Sequence, residues 1–91
     1  MTAPAEPSWM GPCREELMRR DPRWVVVFNA RWRVFGGDCS AAALYAHLKA
    51  RRYAWLPSER SLRTWLNGKD DEPGILQIEA HHRLQTASKT S

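Results

Sequence analysis

Cysteine is scarce in this sequence, which contains only Cys13 and Cys39. Two cysteines so far apart form neither a disulfide framework nor a metal-ligand spacing, so we expect reduced thiols in a cytoplasmic protein. Long apolar runs are also lacking. No stretch approaches the roughly 18 residues of a membrane span, and the N-terminus lacks the basic region and apolar stretch of a signal peptide. These absences predict a soluble, cytoplasmic protein with no membrane contact.

Catalytic signatures are lacking too. The sequence has no Gly-rich phosphate loop, no nucleophile elbow and no paired-carboxylate arrangement. Glu79, His81 and His82 are metal-ligand types, but adjacent histidines do not converge on one ion without further ligands. Cys39 has no identifiable partner base, so an inert thiol is the simpler interpretation. We therefore expect no enzymatic activity, no cofactor and no bound metal.

The positive charge of the chain is concentrated in its middle. Between Arg14 and Lys69 there are twelve Lys or Arg residues and only five Asp or Glu residues. Three of those acids, Asp21, Asp38 and Glu59, stand where helices are expected to begin and would interact with helix amides and the helix dipole. The outward charge is then strongly basic. Such a surface predicts a nucleic acid as the first partner and an acidic protein as the second.

The chain of 91 residues has room for one domain. We expect a mainly α-helical protein, a small helical bundle that contains a helix-turn-helix, with a short β-hairpin or wing left open as an alternative. Residues 1–12 hold three prolines, a glycine and no periodicity, which predicts a flexible N-terminal arm. The helix-turn-helix domain is expected over residues 13–82. A flexible C-terminal tail is predicted for residues 83–91, because residues 85–91 are small and polar.

Two segments fit more than one structure. Residues 24–35 carry a helical apolar stripe, with a capping Asp21 before it and the stop signal Gly36 after it. The even-numbered residues of the same segment also alternate as in a strand, and a hairpin could turn at Asn29. We favour the helix and keep the hairpin as the alternative. Residues 75–78 predict either a strand of a wing or the start of a last helix.

Two further helices have clear start and stop signals. One is expected to run through Arg52 after an N-cap at Asp38 or Ser40, in a segment rich in strong helix formers. Residues 53–57 then connect it to a helix from Ser58 to Asn67, which begins with a good N-cap and ends at an Asn-Gly stop. This last helix is the best-delimited element of the chain.

The helix predicted for residues 58–67 has two different faces. Its apolar residues Leu62, Trp65 and Leu66 cluster on one side and are expected to face the core. The other side carries the residues that we expect to contact DNA bases: Arg60, Ser61, Arg63, Thr64 and Asn67. Arg pairs bidentately with guanine and Asn with adenine, whereas Ser and Thr bond phosphates or base edges. Basic residues around the helix are expected to bind DNA phosphates: Lys49, Arg51, Arg52 and Lys69.

Two groups of residues in this region form a motif: Leu44, Tyr45, Leu48, Lys49 and Arg51, then Ser58, Glu59, Arg60, Ser61, Leu62, Arg63, Trp65 and Leu66. The segment from Ser40 to Leu66 resembles the helix-turn-helix of integrase-type transposases and related recombinases. It departs from that pattern in lacking the usual glycine after the first helix, at Arg52 and Tyr53, and in its long connection. There is no room for a transposase's carboxylate catalytic domain, so the resemblance implies DNA binding alone, as in small regulators of phages, plasmids or mobile elements.

Two functions are compatible with these features. The first is a DNA-binding regulator of transcription that binds duplex DNA as a homodimer, because one short helix offers few base contacts. The alternative is a protein-binding module, such as a small phage-encoded inhibitor of a host complex, since Trp, Tyr and Arg are enriched at binding hot spots. The two functions are distinguished by titration with a random duplex, since a DNA-binding protein loses affinity for it steeply as the salt concentration rises.

Overall fold

The computed structural model describes the backbone of residues 7–90 and the side chains of residues 7–85. This range holds five helices: α1 (Met10–Arg20), α2 (Pro22–Phe35), α3 (Ala41–Ala50), α4 (Glu59–Asn67) and α5 (Ile75–Thr90). Over the same residues, β-structure is limited to one antiparallel bridge between Lys69 and Glu72. None of these helices is long and apolar enough to span a membrane. The mainly α-helical bundle predicted from the sequence is confirmed.

The helices pack in a closed ring. Each helix contacts its neighbour along the chain, and α5 returns to contact α1. The core in the middle of this ring contains the fully buried side chains of residues from every helix: Cys13, Leu17, Val27, Phe28, Leu44, Leu48, Leu62 and Ile75. The ring arrangement leaves one side of every helix facing outward.

Helix α1 passes into α2 at a single residue, Asp21. Its carboxylate accepts a hydrogen bond from the backbone N–H of Arg23 at 3.0 Å, and Pro22 occupies the first helical position. Both features match the preferences of a helix N-terminus. At the other end of α2, Gly36 adopts a left-handed φ of 67°, which glycine tolerates without a Cβ clash.

The helix predicted for residues 24–35 is confirmed, and the alternative hairpin is wrong. The neighbours Val27 and Phe28 are both fully buried, whereas a strand would turn consecutive side chains to opposite faces. Trp24 and Trp32, one turn before and one turn after Phe28, also pack against the core. Trp24, Phe28 and Trp32 are four residues apart, so they share one face of a helix. Because their numbers are all even, the same residues also fit the alternation of a strand.

Trp9 belongs to the core, so the flexible arm predicted for residues 1–12 is wrong from this residue onward. Its side chain is 8% exposed, and its ring meets Phe28 and Trp32 edge-on at centroid distances of 6.2 and 5.4 Å. The prolines of the segment suggested a loop, but Pro12 lies in the first turn of α1, where no intrahelical N–H bond is lost. Residues 1–6 of the predicted arm lie outside the described residues.

Helix α5 begins at Ile75, so the strand considered for residues 75–78 is wrong. Both isoleucines of that segment are buried, on positions i and i+3 that a helix brings together. The tail predicted for residues 83–91 also differs, because its backbone continues α5 as far as Thr90. The segment contains neither Gly nor Pro to stop the helix. Ser91 lies outside the described residues.

Helices α3 and α4 begin at similar caps. Ser40 and Ser58 each accept, through their hydroxyl oxygens, a hydrogen bond from the backbone N–H three residues later, at 3.1 and 3.2 Å. Helix α3 ends at Ala50, two residues before its predicted end, because Arg52 has a left-handed φ of 59°. The backbone there takes a conformation that favours glycine, although the residue is arginine.

Two polar contacts join the N-terminal helices to α5. Arg31 on α2 donates a hydrogen bond to Glu79 on α5 at 2.6 Å, and the Glu79 side chain is only 3% exposed. His82 on α5 meets Glu16 on α1 at 2.8 Å. Burial by itself raises the pKa of Glu16, but hydrogen bonds with His82 and Arg20 outweigh this effect and hold the pKa below its usual value. These two polar contacts therefore join α5 to both α1 and α2.

Candidate nucleic-acid interface

Helix α4 separates its apolar and polar side chains onto opposite faces. Leu62 is fully buried and Leu66 is 5% exposed. Four of the five residues predicted to contact bases are exposed: Arg60, Ser61, Arg63 and Asn67. The fifth, Thr64, is half-buried. The 3.6-residue helical period thus presents a polar face on a helix that the two leucines fix to the core.

The exposed residues of α4 differ in whether their side chains are already engaged. Arg63 donates a hydrogen bond to Glu59, one turn earlier, at 2.9 Å. The hydroxyl of Thr64 donates to the carbonyl oxygen of Arg60 at 3.4 Å, and the hydroxyl of Ser61 lies 3.2 Å from that of the N-cap Ser58. By contrast, the side chains of Arg60 and Asn67 make no hydrogen bond to any described residue. These two are the side chains most ready to bond an external group.

The residues predicted to bind phosphates fall into two settings. Lys49, Arg51 and Arg52 are exposed at the end of α3, where the ammonium of Lys49 lies 5.9 Å from the ring centroid of Tyr45. Lys69 is also exposed, but it begins the turn that continues with Asp70, Asp71 and Glu72. Neighbouring carboxylates offset the attraction of Lys69 for an anion. The end of α3 is therefore the stronger anion-binding region.

Trp65 lies at the margin of the core rather than inside it with the leucines of α4. Its half-buried ring lies between two other tryptophans, with centroid distances of 6.3 Å to Trp55 and 6.4 Å to Trp24. The guanidinium carbon of Arg23 lies 5.0 Å from the Trp65 ring. On the far side of Trp55, the ring of Tyr53 stacks at 4.8 Å. We call the four aromatic rings the aromatic column.

The aromatic column joins α2, the α3–α4 connection and α4. Aromatic pairs of this kind each contribute about 0.5 to 1.5 kcal/mol beyond their burial. The column therefore gives a fixed shape to the connection between α3 and α4, and it holds α4 in one orientation. Trp24 and Arg23 come from α2, and local sequence patterns do not predict their contacts with Trp65. An abundance of tryptophan was the only signal for the column.

Other reactive groups do not form a second site. Burial, with a further contribution from Glu79 and Glu16, raises the pKa of Cys13 to about 12. Burial also raises the pKa of Cys39. Both thiols are therefore protonated near neutral pH and are poor nucleophiles. Among residues 7–85, no three His, Cys, Asp or Glu side chains gather into a group that could hold a metal ion.

The motif that resembles integrase-type transposases lies on two packed and capped helices. Its apolar residues Leu44, Leu48, Leu62 and Leu66 are buried, and its polar residues on α4 point outward. Arg52 adopts the backbone conformation suited to the glycine that the motif usually has. The resemblance itself remains a prediction from these residues. The chain matches no protein-family model, no curated protein and no solved structure.

Proposed function

We propose that this protein binds duplex DNA sequence-specifically through α4 and acts as a small regulator of transcription or of a mobile element. One observation carries the proposal. The unengaged side chains of Arg60 and Asn67 share the exposed side of α4, whose opposite side is buried, and three exposed cations stand at the end of α3. From Lys49 to Asn67 the chain holds five cations and one anion.

The chemistry of the exposed face suits the DNA major groove. Arg60 carries a planar fork of donors that matches the two acceptors of guanine, and the amide of Asn67 matches the donor and acceptor of adenine. Seven residues along a helix span about 10.5 Å, which corresponds to roughly three base pairs. Arg60 and Asn67 therefore contact different base pairs when α4 lies in the groove.

The remaining residues supply position and affinity. Lys49, Arg51 and Arg52 bind phosphates and fix the register of the helix on the duplex. Glu59 orients the Arg63 side chain through their hydrogen bond. On DNA, the Arg63 guanidinium exchanges this bond for one to a phosphate or a base edge. One nine-residue helix offers few base contacts, so the protein binds as a homodimer on a site with two half-sites.

A salt titration tests the proposal. Binding of a random duplex is measured by mobility shift, and neutralisation of three or four phosphates predicts a slope of about −3 in log affinity against log salt. Site selection from a random duplex library then recovers one preferred sequence. The control variant is Arg19→Ala, which removes an exposed arginine of α1 and leaves binding unchanged. No binding at about 50 mM salt contradicts the proposal.

The alternative function, a protein-binding inhibitor of a host complex, would use the Trp residues of the aromatic column and the adjacent Arg23. The column supports it less well. The ring of Trp65 has Trp55 on one side and Arg23 on another, and the ring of Trp55 lies between Tyr53 and Trp65. Most ring faces are therefore covered from within the protein, whereas a binding hot spot needs them free for a partner.

A further inference from the structure

A groove of about 320 Å³ lies between α2 and α3. Its volume is at the lower end of the roughly 300 to 1,000 Å³ typical of ligand pockets. Of the residues proposed to contact DNA, only Arg51 lines it. The groove is therefore a surface that the proposed DNA contacts leave largely unused.

The floor and one wall of the groove are apolar. The apolar floor comprises Val26, Ala30 and Tyr53, which line the groove and are half-buried. Leu48 also lines it but is fully buried and offers no exposed surface. Val34 also lines it and is 53% exposed, one of few large apolar side chains left open to solvent among the described residues. An apolar surface that is open at this position favours a partner that brings apolar side chains.

The polar residues of the groove give it one sign of charge. Arg33 and Arg51 are exposed at its rim, His47 lines it too, and no carboxylate is among its lining residues. Two other grooves differ in this respect. The groove at Arg20 is also lined by Glu16, and the one beside Trp65 is lined by both Lys69 and Glu72. The α2–α3 groove thus combines an apolar floor with an uncompensated cationic rim.

We propose that the α2–α3 groove binds an acidic amphipathic helix of a partner protein. Such a helix inserts apolar side chains at positions i, i+3 and i+7 into the groove, and its flanking carboxylates pair with Arg33 and Arg51. A DNA backbone satisfies the cations but leaves the apolar floor and Val34 without a partner. The inference goes beyond the proposed DNA binding and does not depend on it.

Fluorescence anisotropy with a synthetic peptide tests this site on the full chain. The probe is a labelled helical peptide of about four turns with Leu at positions i, i+3 and i+7 and Glu on both flanks. A second peptide carries Gln in place of every Glu. The protein is expected to bind the acidic peptide about tenfold more tightly than the Gln peptide, because the rim is cationic.

Two groove variants and one control decide the outcome. Val34→Asp and Arg33→Glu are each expected to weaken binding of the acidic peptide about tenfold or more, while circular dichroism confirms that they fold. The control is Met18→Asp, which changes an apolar side chain of α1 that is 52% exposed. This variant is expected to bind the acidic peptide as tightly as the parent. The proposal is overturned if the parent fails to bind the peptide at about 1 mM, or if Met18→Asp weakens binding as much as Val34→Asp. It is also overturned if the groove variants weaken binding to a duplex instead, since the groove then belongs to a DNA surface.

Discussion

The rings of Trp55 and Trp65 stack with centroids 6.3 Å apart and planes inclined by 18°. Trp55 comes from the connection after α3, and Trp65 comes from the last turn of α4. The stack therefore sets how the chain enters the helix that carries the proposed base contacts. Because Trp24 of α2 also packs against Trp65, the orientation of α4 is coupled to the N-terminal half of the bundle.

Replacement of Trp65 by Ala is expected to destabilise the protein by about 1.5 to 3 kcal/mol. A fully buried Trp typically costs about 3 to 5 kcal/mol when truncated to Ala, and the half-buried ring of Trp65 loses less. Urea unfolding followed by circular dichroism measures the change. Leu84→Ala is the control, because that side chain is 69% exposed and its loss should cost less than about 0.5 kcal/mol. An unfolding midpoint equal to the parent's for Trp65→Ala contradicts the role of the column.

Removal of the negative charge of Glu79 is expected to cost about 2 to 3 kcal/mol, because it leaves the half-buried Arg31 without its counter-charge. This is less than the roughly 3 to 5 kcal/mol of a fully buried pair, since the Arg31 side chain is 15% exposed. The variant Glu79→Gln, measured by urea unfolding, tests this. The exposed pair of Arg63 and Glu59 on α4 has the same chemistry and provides the control. There Glu59→Gln should cost less than about 1 kcal/mol, since solvent screens the pair. Equal effects of the two changes would show that burial of Glu79 does not matter.

The lowered pKa of Glu16 predicts a loss of stability in acid. A carboxyl whose pKa is lower in the folded than in the unfolded state contributes stability that is fully present above the usual value of 4.5. That contribution disappears as the pH falls through the folded pKa. Urea midpoints measured between about pH 6 and pH 3 should therefore fall more steeply for the parent than for Glu16→Gln. The exposed neighbour variant Glu15→Gln should follow the parent, and a Glu16→Gln profile as steep as the parent's contradicts the assignment.

Local signals in the sequence predicted the helices where caps and apolar spacing agreed. Helix α4 is the clearest case, since Ser58 caps it and Asn67 is its last residue, as the sequence indicated. The flexible arm predicted for residues 1–12 wrongly included Trp9, because the prolines and glycine of this segment are typical of a loop. The burial of Trp9 depends on Phe28 and Trp32, which lie on another helix. Contacts between distant segments have no signature in local periodicity.

The candidate site was predictable to a similar extent. The polar face of α4 follows from helical spacing alone, so Arg60 and Asn67 could be identified as exposed residues. The pairing of Arg63 with Glu59 was open to the same reasoning, because residues four apart adjoin on a helix. The packing of Trp24 on Trp65 was not, since it depends on how α2 crosses α4.

Replacement of Arg52 by Gly is expected to stabilise the fold. Left-handed backbone costs a residue with a Cβ about 1 to 2 kcal/mol, and the larger entropy of glycine in the unfolded chain offsets part of this gain, about 0.4 to 1 kcal/mol. The net gain should lie between zero and about 1.6 kcal/mol in urea unfolding. Arg51→Gly is the control, because its φ of −84° suits any residue and the change should not stabilise. A less stable Arg52→Gly contradicts the strain at this position.

The final prediction separates base contacts from phosphate contacts. Arg60→Ala and Asn67→Ala should each cost about 1 to 3 kcal/mol on the selected site and relax the preference at one base pair, with little effect on random duplex. Lys49→Ala and Arg51→Ala should weaken binding to all sequences alike and reduce the salt slope by about one unit each. All four side chains are exposed, so folding should be unchanged. Mobility-shift titrations on both duplexes at two salt concentrations measure these effects.

The two classes of variant differ in kind, which makes the comparison informative even when absolute affinities change. A base contact is formed only on the correct sequence, so its loss reduces the ratio of specific to random binding. A phosphate contact releases counterions on any sequence, so its loss leaves that ratio unchanged and alters the salt dependence. Thr64→Ala serves as an internal comparison, because its hydroxyl is already bonded to the carbonyl of Arg60 and should contribute less than Asn67. If all four variants bind both duplexes like the parent, α4 is not the DNA-contacting helix and the proposed function fails.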